Sequence, residues 1–182
     1  MEELGLKILA ACKAHTSKNP IEIFNSVVKE DFVRIHGPEH HIIDGACLLV
    51  AFKNAGGNIN LDDGLKWVMS QGMKVPGAAC AHWGICGSVT SLGSALSYID
   101  GTSPLSTDGS WGNHMLFTAK AANRMGTING PRCCKRDAYI SFEAAVEYIN
   151  ENYDVTLEKS DIQCEFSHIN QQCIGTRCPY HL

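Results

Sequence analysis

Residues 38–57 read PEHHIIDGACLLVAFKNAGG. A proline opens the stretch at a position compatible with a helix first turn, and Asn54-Ala55-Gly56-Gly57 closes it. The apolar run between them is too long for a typical strand and does not alternate with period two. It predicts a helix. On that helix His40, Asp44 and Cys47 fall on one face, at roughly 0°, 40° and 340° from ~100° per residue. His41 lies beside them. His36 and His40 have the four-residue spacing of metal-binding pairs, but Gly37 and Pro38 between them keep both from one helix.

The same helical signals extend outward. Leu6, Leu9 and Ala10 mark a helix over 3–15. Pro20 opens one over 20–30, with Ile21, Phe24, Val27 and Val28 on its apolar stripe. LDDGLKWVMSQGM (61–73), CGSVTSLGSALSYIDG (86–101) and WGNHMLFTAKAANRMG (111–126) read as further helices, and Ser141 reads as the cap of FEAAVEYINENY. No alternating strand of convincing length occurs. The expected fold is mainly α, a single-domain helical bundle over 1–182. Residues 1–35 would supply N-terminal helices and 36–182 a core with Cys-rich loops. A short hairpin is expected near the C-terminal cysteines.

With 182 residues, 45% of them hydrophobic, the chain can close one sizeable core. A net charge of −4 argues against nucleic acid as its partner, because phosphate binding needs a cationic surface. No apolar run is long enough to span a membrane, and MEELGLKILAACKAH lacks the form of a secretory signal. The expectation is a cytoplasmic protein with neither a membrane nor a nucleic acid as partner. Nine cysteines in such a chain point away from a disulfide scaffold and toward metal ligation, redox chemistry or buried thiols.

Three cysteines crowd into CEFSHINQQCIGTRCPYHL (164–182). Cys164, Cys173 and Cys178 can converge on one centre, and PRCCKRD (131–137) offers a fourth ligand. Successive side chains diverge, so Cys133 and Cys134 should not both serve. Cys134 is the expected ligand and Cys133 the alternative. Only Cys173 and Cys178 approach the tight pairing of zinc sites, whereas iron–sulfur clusters accept wider spacings. The expected cofactor is therefore an iron–sulfur cluster, [4Fe-4S] in type, with zinc as the alternative. Arg132, Lys135, Arg136 and Arg177 would offset its negative charge.

A second group lies in CAHWGICGS (80–88). Cys80 and Cys86 would point about 120° apart on a regular helix, so they can share a site only on an irregular loop, which Gly77, Gly84 and Gly87 permit. Cys86 stands at a helix start, where the dipole lowers a thiol pKa, and is the expected reactive thiol. Cys80, Cys86, His40 and His41 are the expected lining of a substrate or second-metal site. Cys12 and Cys47 are expected on apolar faces. His114 has no assigned role, and no phosphate loop, nucleophile elbow or dinucleotide fingerprint is present.

Together PEHH, VPGAACAHWGICGS, TSPLS, GPRCCKRDAYISFEAAVEYI and CEFSHINQQCIGTRCPYH resemble an uncharacterised Cys-rich family of anaerobic bacteria and methanogenic archaea. Some of its members are fused to S-adenosylmethionine-dependent methyltransferase domains. The resemblance covers the chain from about residue 36. Members carry a Cys-Gly-Phe-His-Gly-Asn-Cys-Gly-like run where this chain has residues 80–87; the cysteines match and the residues between them differ. The run is also similar to redox proteins with a Cys-Gly-Cys-Ala motif. The resemblance implies no specific reaction. It fits an oxygen-sensitive metal centre in anaerobic redox, sulfur or one-carbon metabolism. The partner would be a small-molecule substrate, or a redox or methyltransferase protein. The alternative is a non-catalytic metal-stabilised module that assists a methyltransferase.

Overall fold

The computed structural model describes residues 1–182. Eight α-helices follow in order: α1 (Glu2–Lys13), α2 (Pro20–Val27), α3 (His40–Asn54), α4 (Leu61–Gly72), α5 (Ala79–His82), α6 (Gly87–Asp100), α7 (Ser110–Ile128) and α8 (Cys134–Asn152). A single 3-10 turn, Gly175–Arg177, interrupts the tail. The fold is one all-α domain. In place of a C-terminal hairpin there is one isolated parallel bridge between Cys164 and His181. No helix is long and apolar enough to cross a membrane.

Helix α3 is the axis of the bundle. From Ile42 to Phe52 its apolar residues occupy every side of the helix, and all are buried. A helix apolar all round has no face to give to solvent, so others must cover it. Helices α1, α2, α4, α6 and α8 do so. Where α3 meets α6, Gly45 N–H donates to Ser91 Oγ at 2.8 Å. A Cβ on Gly45 would lie 2.6 Å from the Ser91 carbonyl oxygen, so the absence of a side chain sets how closely the two helices approach.

The turn into α3 is held by Glu39, which is completely buried. Its carboxylate accepts from Arg34 N (2.9 Å), Arg34 Nε (3.0 Å) and an Arg34 guanidinium nitrogen (2.7 Å). Burial works to raise the Glu39 pKa, but these bonds outweigh it and the net shift is downward. Helix α3 begins after Pro38, with His40 as its first residue. Helix α8 begins eight residues earlier than the Ser141 cap predicted. Ser141 instead sits mid-helix with its hydroxyl bonded to the Asp137 carbonyl at 2.8 Å. The cap is Cys133, whose sulfur accepts from Arg136 N at 3.5 Å.

Gly45→Ala should force α3 and α6 apart. The expected cost is about 1–3 kcal/mol from overpacking, read as a lower urea midpoint with an unchanged slope. An unchanged midpoint would mean that the contact yields freely.

Candidate functional site

The start of α8 divides two thiol-lined hollows. Cys133 and Arg136 line a cleft against the tail, and Cys134 and Asp137 line a cavity on the other side. The spacing of three residues within each pair follows from helix geometry, which places i and i+3 on one side.

The tail cleft, about 20 Å³, is lined by the cysteines Cys133, Cys164, Cys173 and Cys178, with His181 and Asn170. Three of the sulfurs accept backbone N–H donors: Cys133 from Arg136, Cys164 from Phe166, and Cys173 from Gly175 at 3.4 Å. Such donors work to lower a thiol pKa, but at Cys133 and Cys164 burial outweighs them and the net shift is upward. A chain of hydrogen bonds ties the tail to the helix start. Cys134 N–H donates to His36 Nδ1 (3.3 Å), His36 Nε2–H donates to Asn170 Oδ1 (2.9 Å), and Asn170 Nδ2 donates to Cys133 Sγ (3.4 Å). Since His36 Nδ1 accepts, its ring proton sits on Nε2. Lys135 is fully buried behind the cleft. Its ammonium lies over the rings of Phe166 and Phe24, 5.1 and 6.0 Å from their centroids, and burial lowers its pKa to about 8.

The cavity on the other side holds about 50 Å³. His40, His41, Cys80, Cys86 and Cys134 all line it, with Ser88, Arg132 and Asp137. His41 Nδ1 lies 3.1 Å from the Val75 carbonyl, which can only accept, so Nδ1 carries the proton and Nε2 keeps its lone pair. Burial keeps the His41 pKa below its ordinary value. The ring packs against the Cα of Gly87, in space a side chain there would occupy. His40 Nε2 accepts from Lys135 Nζ at 3.1 Å, which leaves the ring proton on Nδ1. That atom lies 3.8 Å from Asp44 Oδ1, too far for a hydrogen bond. His40 Nδ1, both Asp44 oxygens and Ser88 Oγ are buried without a partner. Buried polar atoms left unpaired are costly and uncommon. Ser88 and His40 belong to the cavity lining, and Asp44 lies behind the His40 ring.

The adjacent cysteines exchange the places that the sequence assigned to them. Cys133, held as the alternative, joins Cys164, Cys173 and Cys178; Cys134 joins Cys80, Cys86, His40 and His41. Of the expected counter-cations, Lys135 and Arg136 are buried beside the cleft, Arg132 lines the cavity instead, and Arg177 is exposed. Cys86 is the N-cap of α6 as expected, and Ser88 N–H reaches its sulfur. The pKa runs opposite to the expectation: burial, reinforced by Asp137, raises it well above an ordinary thiol and outweighs the helix start. Burial likewise pushes Cys134 up to about 11, although Gly37 N–H donates to it. Cys12 and Cys47 are fully buried with sulfurs 3.8 Å apart, and Cys47 has left the face it shares with His40 for the core. His114 bonds Asp100 at 2.8 Å and serves packing. Ser88 and Asp137 carried no signal in the sequence. Ser88 and Asp137 gain meaning only from their places two and three residues after a cavity cysteine.

No three His, Cys, Asp or Glu side chains close on one point at ion-coordination distance. The four cleft sulfurs stand around a space rather than at its centre.

With its thiol pKa raised well above the ordinary value by burial, Cys86 in the metal-free chain should alkylate at least about tenfold more slowly at pH 7 than glutathione. Mass-spectrometric rates of iodoacetamide labelling check this. Labelling faster than glutathione would mean that the helix start prevails over burial.

No curated protein and no solved structure matches the chain significantly. One family does, over residues 8–181. The match takes in the second half of α1, all of α2 and both hollows, so it starts well before residue 36. The chain belongs to DUF5714, a family of unknown function.

Proposed function

We propose that the chain binds an iron–sulfur cluster of the [4Fe-4S] type through Cys133, Cys164, Cys173 and Cys178, and that the cavity across the α8 start is its substrate site. One observation carries the reading: four thiols from separate stretches of chain line one cleft, three of them with amide donors on the sulfur. An all-thiol donor set suits such clusters. The same donor set could hold a tetrahedral zinc, the alternative cofactor.

When bound, the cluster would supply one-electron transfer. The chain's residues do the rest. Arg136, hydrogen-bonded to Asp137 and the Pro131 carbonyl, lines the cleft and offsets thiolate charge; Lys135 adds a second buried cation. His36 and Asn170 fix the Cys133 sulfur. His41 presents a neutral imidazole lone pair to the cavity with Cys80, Cys86 and Cys134. This arrangement suits cytoplasmic anaerobic redox, sulfur or one-carbon chemistry on a small molecule, with a redox or methyltransferase partner and no nucleic acid or membrane surface. The lineage suggested by the sequence resemblance agrees with it. The accessory-module reading has its own support: Trp111, Met115 and Leu116 on α7 are exposed and could dock a methyltransferase.

Anaerobically purified protein should contain iron and acid-labile sulfide and show broad visible absorbance, which zinc, a d¹⁰ ion, cannot give. Cys133→Ser should lose iron and sulfide, while Cys134→Ser keeps them. Cys173→Ser and Cys178→Ser should lose metal and melting temperature together, because ligand binding is coupled to folding. Zinc without sulfide would favour the accessory module. Equal loss from Cys133→Ser and Cys134→Ser would contradict the division of the pair.

A further inference from the structure

Three long helices start at the cavity. His40 is the first residue of the 15-residue α3, Cys86 caps the 14-residue α6, and Cys134 is the first residue of the 19-residue α8. Each start carries about +0.5 of a charge. The first amides of α3 and α8 are already bonded, to the Gly37 and Pro38 carbonyls and to His36 and the Cys133 sulfur, which leaves the α6 start to meet an anion directly. Charged side chains add to this. Arg132 stands at the rim; Lys135 reaches the lining through His40, and Arg136, which lines the tail cleft, reaches it through Asp137. Against these three cations are two carboxylates, Asp44 behind His40 and Asp137 in the lining. Asp137 is engaged by Arg136 at 3.2 Å. Glu39 is neutralised by Arg34. The balance at the cavity is positive.

A second observation points to a ligand independently. Ser88 lines the cavity, is 4% exposed, and its Oγ has no hydrogen-bond partner. Its hydroxyl can donate. His40 also lines the cavity, but its Nδ1 faces Asp44 Oδ1, 3.8 Å away behind the ring. Size limits the occupant. A water needs ~10–15 Å³ of such space, so about 50 Å³ takes a group of only a few heavy atoms.

We propose that this cavity binds a small oxyanion, a carboxylate, sulfite or phosphate group, held by Ser88 Oγ, Arg132 and the α6 start beside the thiols of Cys86 and Cys134. The proposal rests on the reading of the cavity as the substrate site and names the class of substrate. The anion would sit against the neutral thiols and the His41 lone pair, so its reacting atom would face Cys86 or Cys134.

The test uses the full chain, prepared anaerobically. Formate, sulfite or inorganic phosphate is added, one at a time, against chloride at equal ionic strength. Melting temperature and iodoacetamide labelling of each cysteine at about pH 7 are read. At least one oxyanion should raise the melting temperature and slow labelling of both Cys86 and Cys134 about tenfold or more, with Cys173 unchanged. Ser88→Ala and Arg132→Gln, which remove an unpaired hydroxyl and an exposed side chain, should each weaken that protection about tenfold, the scale of a charge-assisted hydrogen bond. Absence of protection by all three anions, equal protection in both variants, or protection by ammonium instead would overturn the proposal. Iron and sulfide are measured on the same samples. Protection without iron would sink the cluster reading alone; iron without protection would sink this one alone.

Discussion

Burial of α3 on all sides is the constraint on which the rest depends. Its central residues leave no polar stripe, so five other helices are recruited to cover it. That enclosure fixes where the first residues of α3 must lie. His40 and His41 are buried because the helix they open is buried, and Glu39 is buried with them and has to be matched by Arg34. The site is thus an outcome of packing: an apolar axis ends inside the protein, and its polar end must be surrounded by groups that can live there.

Those groups come from the starts of other helices. Close approach of α3 and α6 at Gly45 and Ser91 brings the α6 start, with Cys86, Gly87 and Ser88, alongside His41. The α8 start arrives from the other side and carries one cysteine to each hollow. The tail contributes almost no regular structure. It is located by side chains instead: Phe166 under the Lys135 ammonium, Tyr180 on Glu143, and Asn170 on His36 and Cys133.

The fold was legible in the sequence because its signals are local. Asn54-Ala55-Gly56-Gly57, Pro20 and the apolar stripes each act within one or two turns, and the all-α class follows from them. The Ser141 cap failed for the same reason: a serine before an apolar run looks like a cap whether or not the helix has already begun, and here Cys133 supplies the cap. The membership of the two thiol groups was legible in outline, since cysteines clustered in sequence tend to stay near one another. Which of Cys133 and Cys134 faces which group was not. That depends on the rotation of α8 about its axis, which is set by packing along the length of the helix. The Cys86 pKa was misjudged because a sequence displays a helix start but not the burial that opposes it.

The division of Cys133 and Cys134 has a consequence for communication between the hollows. Their Cα atoms are 3.8 Å apart across one peptide unit, so with two short side chains the sulfurs are separated by at most about 10 Å. At an effective dielectric near 20, one elementary charge gained at that distance is felt as about 1.7 kcal/mol, more than tenfold in an equilibrium constant. Each hollow therefore senses the charge state of the other without any atom having to move, through the field across a single turn of α8.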